Sequence, residues 1–245
     1  ACGDTGEGKM PEPEVLLSYI LRELAHEKDM KGLKVCVTAG PTRETIDPVR
    51  FISNRSTGKM GFALAKNAME RGADVTLVSG PVELKDVPFV KMVHVESARQ
   101  MFEAVTKEAE TADIIVKAAA VADYRPAVVA DEKIKKKDGD MSIALERTDD
   151  IIGTLGKTKR DNLFLCGFSM ETEHMLENSK AKLEKKNLDM IIANNVKVKG
   201  AGFGTDTNVV TLITKDEIKE LPIMSKEDVP DEIFNNILAN RKGIV

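Results

Sequence analysis

The chain has 245 residues and a formal net charge of −4 at pH 7, and hydrophobic residues make up 42% of it. This length allows one large domain or two small ones. The acidic balance argues against a nucleic-acid-binding surface, and no apolar run approaches the roughly 20 residues that a membrane helix requires. Three cysteines and three histidines stand at no metal-ligand spacing, so neither a zinc site nor a disulfide framework is expected.

The first residues differ in character from the rest. Residues 1–14, ACGDTGEGKMPEPE, are rich in glycine and acidic residues, carry no secretory signal and resemble the end of an upstream segment. Residues 15–29 have apolar residues at helical spacing, which predicts a short amphipathic helix before the main domain.

From Lys34 onwards, strand patterns alternate with helical patterns. The predicted strands are KVCVTAG, DVTLVSG, FVKMVHV, ADIIVKAAAVAD, NLFLCGFS and DMIIAN. The predicted helices between them are GKMGFALAKNAMERGA with Gly72 as C-cap, SARQMFEAVTKEAET with Ser97 as N-cap, and a lysine-rich helix at about 171–187. The alternation predicts an α/β fold with a Rossmann-like, doubly wound, mainly parallel sheet and helices on both faces. Ligands are expected at the carboxyl ends of its strands.

Two stretches interrupt the alternation. MSIALER at 141–147 predicts an extra strand, and NVVTLITKDEIKELPIMS at 208–225 alternates like a hairpin before a last helix over roughly 226–241. A strand away from a parallel core often provides an edge for self-association, so we expect the extra strands to serve dimerisation.

The stretch ISNRSTGKMG at 52–61 is close to a phosphate-binding loop, G-x-x-x-x-G-K-[ST]. Ser53 replaces its first glycine, and Met60 replaces the Ser or Thr that would bind magnesium. A helix beginning near Gly58 still offers free N–H groups and the positive end of its dipole. The stretch therefore predicts an anion-binding helix start without a closed phosphate loop.

Three functions are compatible with this pattern. A nicotinamide-dependent oxidoreductase is disfavoured because G-x-G-x-x-G is replaced by a loop of about 17 residues from Pro41 to Thr57, and the second strand ends in VSGP without a ribose-binding acid. A nucleotide-consuming ligase or transferase is favoured, since the long loop leaves room for a substrate beside a phosphate. A non-catalytic nucleotide-fold scaffold is the third, and polar residues at successive strand ends argue against it.

Several long motifs, in order along the chain, resemble those of the phosphopantothenate–cysteine ligases. They are TAGPTRETIDPVRFISNRSTGKMG, AAVADYRP at 119–126, EKIKK at 132–136, DDII, GFSMET, KKNLDMIIANNV and GFGTDTN. The resemblance runs from about Lys34 to the end and implies a ligase domain at 32–245. It identifies residues 1–31 as a remnant of the flavin-dependent decarboxylase domain that precedes the ligase in bacterial bifunctional proteins, plus a linker helix. In that remnant, Cys2 is expected to be inert.

The resemblance implies a two-step reaction and its reactants. The carboxylate of 4′-phosphopantothenate attacks the α-phosphate of CTP to give an acyl-cytidylate and pyrophosphate, and the amine of L-cysteine then displaces CMP. Mg²⁺ would accompany the triphosphate, and FMN would belong only to the missing decarboxylase domain. A cytoplasmic homodimer is implied, with the decarboxylase domain as its partner in the full-length protein and with no nucleic-acid or membrane partner.

Carried over residue by residue, the resemblance makes Asn54 and Lys133 catalytic, with Lys133 on the triphosphate. The positions implied to contact the nucleotide are Lys117, Ala118, Ala119, Asp123, Lys133, Asp149, Asp150, Ile151, Ile152, Phe168, Lys182 and Lys186. Only the backbone of Lys117 is expected to take part, because a small residue is usual there. Lys135, Lys136 and Lys137 are expected to face solvent. Phe168 is placed at the end of the fifth strand, and Lys182 and Lys186 on one helix face.

Overall fold

The computed structural model describes residues 10–136, 140–171, 174–195 and 205–241. Its helices are α1 Pro13–Leu24, α2 Lys59–Glu70, α3 Ala98–Ala109, α4 Ile151–Lys157, α5 Met175–Lys185 and α6 Val229–Asn240. Its strands are β1 Lys34–Ala39, β2 Arg43–Thr45, β3 Phe51–Ser53, β4 Asp74–Ser79, β5 Lys91–His94, β6 Ile114–Lys117, β7 Tyr124–Pro126, β8 Leu145–Arg147, β9 Phe164–Glu171, β10 Met190–Asn195, β11 Thr207–Asn208, β12 Val210–Thr214, β13 Ile218–Glu220 and β14 Met224–Ser225.

Eight strands form the central sheet, in the order β13-β12-β10-β9-β6-β1-β4-β5. The six strands from β10 to β5 are parallel, and β12 and β13 are antiparallel additions at one edge. Numbered along the chain, the parallel strands lie in the order 3-2-1-4-5-6, so the strand order reverses between β1 and β6. The predicted Rossmann-like, doubly wound fold is confirmed, and so is the hairpin, as β12 and β13.

The sheet is buried on both faces. On one face, α2 and α6 contribute Leu64, Phe234 and Ile237 to an apolar core; on the other, Met101 of α3 and Leu183 of α5 pack with α4. The central strands are almost continuous apolar runs, as parallel strands covered on both faces require. None of the described helices is long and apolar enough to cross a membrane.

Local signals fixed several helix ends as predicted. Ser97 caps α3 in a capping box with Gln100. Gly72 follows the C-cap Arg71 of α2 with a φ of 90°, a conformation that glycine adopts without steric cost. The thiols of Cys36 and Cys166 are free and buried, as predicted, and burial raises the pKa of Cys36 to about 12. Cys2 lies outside the described residues.

Two sequence predictions about elements need correction. Helix α1 ends at Leu24 rather than residue 29, because Lys28 donates hydrogen bonds to the carbonyls of Arg22 and Glu70 and ties the chain to the end of α2. No residue of α1 is buried. Of MSIALER, only Leu145–Arg147 is a strand, and it pairs with β7 outside the central sheet.

The long loop after β1 also contains structure that the sequence did not indicate. It folds into the β2–β3 hairpin, and the buried Asp47 at its turn accepts hydrogen bonds from the Arg50 side chain and from the N–H of Ile134. The Arg50 guanidinium in turn donates to the carbonyl of Ile134. Through Asp47 and Arg50, the hairpin therefore anchors the loop that carries Lys133.

Candidate functional site

Two adjoining clefts lie along the carboxyl ends of the parallel strands, near the point between β1 and β6 where the strand order reverses. The first cleft, of about 410 Å³, is lined by Asn54, residues 56–61, residues 118–121, Asp123, residues 168–170, Asn194, Asn208 and Lys226. The second cleft, of about 370 Å³, is lined by Lys117, residues 121–124 and 147–152, and Lys186. Val121 and Asp123 line both, so the two clefts meet at this segment.

The floor of the first cleft is the loop after β6, which is bound tightly to the loop after β1. The N–H of Ala119 donates to the hydroxyl of Thr38, and the N–H of Ala120 donates to the carbonyl of Gly40. The N–H of Ala122 donates to the hydroxyl of Thr42. These bonds satisfy buried backbone groups and hold the segment that both clefts share in one position.

The start of α2 forms one wall of the first cleft. Its N-cap is Gly58, with a φ of 78°, and no side chain caps the helix. At Gly61 an added Cβ would lie 2.5 Å from the Cβ of Ala39, so the helix packs directly against β1. The first N–H groups of a helix have no intrahelical partner. In α2 these groups belong to Lys59–Gly61, which line the cleft. The predicted anion-binding helix start therefore opens into this cleft.

Asn54 lies at the rim of the first cleft. Its Nδ2 donates a 2.8 Å hydrogen bond to the carbonyl of Ala120, on the floor. This bond fixes which end of the carboxamide is the donor and leaves the side chain beside the segment where the two clefts meet.

Phe168 lines the first cleft, but the prediction that it ends its strand is wrong. Strand β9 continues to Glu171, so Phe168 lies within it and is part-buried against the core. The strand is longer than its apolar run because β10 continues the pairing as far as Glu171.

The second cleft contains charges that are already paired. Lys186 Nζ lies 3.1 Å from Asp150 Oδ1, and the same carboxylate caps α4 by accepting from the N–H of Gly153. Partial burial raises the pKa of Asp150, but the Gly153 N–H and the Lys186 ammonium outweigh it, so its pKa lies below the ordinary value. Asp150 therefore stays ionised and holds Lys186 in place.

Lys117 lines the second cleft, and the expected role of its backbone stays a prediction. Burial is the main reason that its pKa falls to about 8, and the nearby Lys186 ammonium lowers it further. A carboxylate at Asp150 or Asp123 acts in the opposite direction. The pKa of Lys117 therefore lies closer to neutral pH than that of an ordinary lysine.

The two clefts bring together most of the predicted site residues. Asn54, Ala118, Ala119 and Phe168 line the first; Lys117, Asp149, Asp150, Ile151, Ile152 and Lys186 line the second; Asp123 lines both. Lys133, Lys135 and Lys136 are exposed, and Lys133 and Lys182 line neither cleft. Lys186 is the C-cap of α5 rather than a residue within the helix. Lys137 and most of the glycine-rich segment at 200–208 lie outside the described residues.

Sequence reasoning missed several cleft residues, among them Lys59, Asn194, Asn208 and Lys226 of the first cleft. The near-match to a phosphate loop contained Lys59. Asn194 and Asn208 lie within the motifs KKNLDMIIANNV and GFGTDTN, but no local pattern assigned them a place in the site. Lys226, in the turn before α6, belongs to none of these motifs.

No cluster of three or more His, Cys, Asp or Glu side chains suited to hold a metal ion occurs in the part of the chain that the structure describes. Asp123 is a single carboxylate at the junction of the clefts. Mg²⁺ is usually held by one or two carboxylates together with the phosphates of a substrate, so this donor set fits a magnesium ion that enters with a nucleotide.

Comparison with known proteins agrees with this geometry. Residues 30–240 match the family described as the DNA/pantothenate metabolism flavoprotein C-terminal domain. The coenzyme A biosynthesis bifunctional protein CoaBC of Bacillus subtilis is 49% identical over 99% of this chain and 60% of its own length. The CoaBC protein of Haemophilus influenzae is 44% identical over 97% of this chain and 59% of its own length. The chain thus spans about 60% of these relatives.

Solved structures lead to the same family. The crystal structure of the C-terminal domain of a CoaBC protein matches with a TM-score of 0.73 at 44% identity, over 85% of this chain and 95% of that one. A mutant of Cab2 in complex with phosphopantothenate-cysteine matches with a TM-score of 0.70 at 16% identity, over 95% of this chain and 96% of that one, and shows the shared fold alone. The resemblance seen in the sequence is confirmed: the chain belongs to the DNA/pantothenate metabolism flavoprotein C-terminal domain family, whose relatives act in coenzyme A biosynthesis.

Proposed function

We propose that this chain is a phosphopantothenate–cysteine ligase that uses CTP. It would join 4′-phosphopantothenate to L-cysteine through an acyl-cytidylate, releasing pyrophosphate and then CMP. The observation that carries the proposal is the pair of clefts that meet at Val121 and Asp123. A reaction between two bound molecules needs their reacting atoms at such a junction, and holding them there supplies much of the rate enhancement.

The second cleft suits the nucleoside. Its paired charges present both donors and acceptors to the polar edge of a base, and it does not carry an excess of one sign. The first cleft suits the phosphate and carboxylate groups of the substrates, since the positive end of the α2 helix dipole faces it. The α-phosphate of CTP and the carboxylate of 4′-phosphopantothenate would then meet beside Asn54 and Asp123.

In the first step a carboxylate oxygen forms a bond to the α-phosphorus, and the bond from that phosphorus to the β-phosphate oxygen breaks. Negative charge moves onto the departing pyrophosphate. The N–H groups at the start of α2 would stabilise the anionic groups without any rearrangement. Magnesium held by Asp123 and the triphosphate oxygens would neutralise phosphate charge when bound.

In the second step the cysteine amine attacks the acyl carbon, loses a proton, and CMP departs with the electron pair of the broken acyl–oxygen bond. A neutral carboxamide at Asn54 can remain beside both the carboxylate and the acyl-phosphate, because it repels neither. Lys133 lies outside both clefts in this structure, on the loop anchored by Asp47 and Arg50. We propose that the exposed side chain of Lys133 reaches the triphosphate from this anchored loop when the nucleotide binds.

We further propose a cytoplasmic homodimer that joins through the β2–β3 hairpin and the β7–β8 ribbon. Phe51, Tyr124 and Leu145 on these elements, and Val128 just after β7, are each at least 46% exposed and offer apolar surface. Sedimentation at twice the 26.8 kDa chain mass would support this association. FMN and the decarboxylase activity would belong to the separate part of the bifunctional relatives, with Cys2 inert.

The test is release of pyrophosphate in the presence of 4′-phosphopantothenate, comparing CTP with ATP before and after cysteine is added. We expect CTP to give much the higher kcat/KM, with CMP appearing only after cysteine is added. Equal values for the two nucleotides would contradict the choice of CTP. Absence of release with any nucleoside triphosphate would favour the scaffold hypothesis instead.

A further inference from the structure

Two lysines from distant parts of the sequence line the first cleft and share a partner. Lys59 is the first residue of α2, and Lys226 lies in the turn between β14 and α6. Asp206 connects them: its carboxylate lies 2.7 Å from Lys59 Nζ, and its carbonyl accepts from the N–H of Lys226. The arrangement is therefore held by tertiary contacts on both lysines.

Lys226 is only 8% exposed, which is unusual for a lysine because its ammonium must leave bulk water. Burial lowers its pKa, and the ammonium of Lys59 lowers it further. The carboxylate of Asp206, on the other side, has 89% of its side chain exposed and is well screened by water. An anion bound between the two lysines would lower the electrostatic cost of keeping both charges in the cleft.

The surroundings indicate which kind of anion fits. The start of α2 adds backbone N–H groups beside Lys59, which suits a phosphate group. Asn208 is 3% exposed and is fixed by a 2.8 Å hydrogen bond from its Nδ2 to Asn194 Oδ1. Apolar side chains, Met60 and Phe168 among them, also line this cleft.

We propose that Lys59 and Lys226 bind the phosphate monoester of 4′-phosphopantothenate. This assignment rests on the proposed function and adds an orientation to it. The substrate has a carboxylate at one end and a phosphate at the other, with a gem-dimethyl group between them. The carboxylate must react at the junction with the second cleft, and neither Lys59 nor Lys226 lines that second cleft. The phosphate, at the other end of the substrate, is therefore the group that the two lysines bind, and the apolar side chains of the first cleft receive the dimethyl group.

The test uses two substrates that differ only in that phosphate: 4′-phosphopantothenate and pantothenate. We expect Lys226→Gln to lower kcat/KM for 4′-phosphopantothenate by about 10- to 100-fold, the range for a hydrogen bond to a charged group. The kcat/KM for pantothenate and the KM for CTP should change less than about twofold. Lys226→Arg should recover most of the loss, and Lys107→Gln, on the exposed side of α3, is the control.

Two kinetic results would overturn the proposal. An equal loss with both substrates would show that Lys226 supports the structure and does not contact the phosphate. A raised KM for CTP with an unchanged one for 4′-phosphopantothenate would place the nucleotide polyphosphate there instead. Lys59→Gln, at a partly exposed position, provides the same comparison if Lys226→Gln fails to fold.

Failure of the ligase reaction itself is measured separately. If the wild type releases no pyrophosphate with any nucleotide, titration calorimetry with 4′-phosphopantothenate alone still tests binding by the two lysines. Binding to the wild type that weakens about tenfold or more in Lys226→Gln would support the anion site. Equal binding by the two proteins, or none by either, would overturn it.

Discussion

The two clefts share a wall but differ in how their charges are balanced. The second combines three cations with three carboxylates: Lys117, Arg147, Lys186, Asp123, Asp149 and Asp150. The first is lined by two lysines and one carboxylate, Lys59, Lys226 and Asp123, and has the positive end of α2. A balanced cleft orients a neutral polar group, whereas a positive one attracts an anion. The difference explains how one surface binds a nucleoside and an acidic substrate side by side.

The largest effect is expected at Asn54, at the junction. In Asn54→Asp the donor to the Ala120 carbonyl is lost and a carboxylate faces that oxygen and the anionic intermediate. We expect overall turnover to fall by roughly 10²–10³-fold, as for loss of one preorganised donor. Rapid-quench analysis should show the acyl-cytidylate persisting after cysteine is added. Asn162→Asp makes the same change at a remote exposed turn and should have no effect; normal conversion in Asn54→Asp would rule out the role.

A change at Lys133 tests whether a residue outside both clefts takes part in the release of pyrophosphate. If its side chain reaches the triphosphate, Lys133→Gln should slow pyrophosphate release by about 10²-fold or more. Thermal stability should be unchanged, because the side chain is exposed. Lys136→Gln on the same loop should cost less than about tenfold, since exposed charges are screened. If the two variants behave alike in release measured before cysteine is added, the basic run is only a solvated surface.

Lys186 tests the second cleft alone. Lys186→Gln removes the partner of Asp150, so the cleft gains net negative charge. We expect the KM for CTP to rise by about tenfold, while the KM for 4′-phosphopantothenate stays within about twofold. The neighbouring exposed Lys185→Gln is the control. A variant that raised both KM values equally would show that the two clefts do not divide the substrates as proposed.

The smallest effect is expected on the stability of the protein, through the buried charge of Lys117. Its pKa in the native protein is about 8, below its ordinary value of 10.5, so the unfolded chain binds the proton more tightly. Stability of the wild type should therefore rise as pH increases from about 8 to 10.5 and be reduced below that window. Lys117→Met removes the charge, so this pH-dependent rise should be smaller in the variant.

At pH 7 we expect Lys117→Met to melt a few degrees higher, since about 1 kcal/mol shifts Tm by roughly 2–4 °C at this chain length. Its KM for CTP should rise. Scanning calorimetry of both proteins at pH 7 and pH 10 gives the comparison. A lower Tm at pH 7, or parallel pH profiles, would show that the Lys117 charge is accommodated without cost.

Much of the fold followed from local sequence patterns. The run at Lys34–Ala39 is apolar enough to be a strand buried on both faces, and Ser97 with Gln100 specified the start of α3. The helix start at Gly58 was visible because a near phosphate-loop motif contains it. Such features depend on neighbouring residues, so one sequence is sufficient to find them.

The errors arose where an element's end depends on a remote partner. Strand β9 passes Phe168 because β10 pairs with it as far as Glu171. Strand β8 is limited to three residues because it pairs only with the three residues of β7. Helix α1 stops at Leu24 because Lys28, a few residues later, contacts the end of α2. The division of residues 1–31 from 32–245 stays a prediction.

By itself, the sequence determined the class of the fold, the helix start at the site, and the family. Each of these follows from runs of neighbouring residues, so it can be recognised without coordinates. Only the tertiary structure decided how the site is divided. Lys59 and Lys226 are far apart in the chain, and the Asp206 contacts place them in one cleft. Likewise, the low pKa of Lys117 exists because packing removes water around it and places Lys186 nearby. Burial and the distance between charges are properties of the folded chain, and no local pattern encodes them.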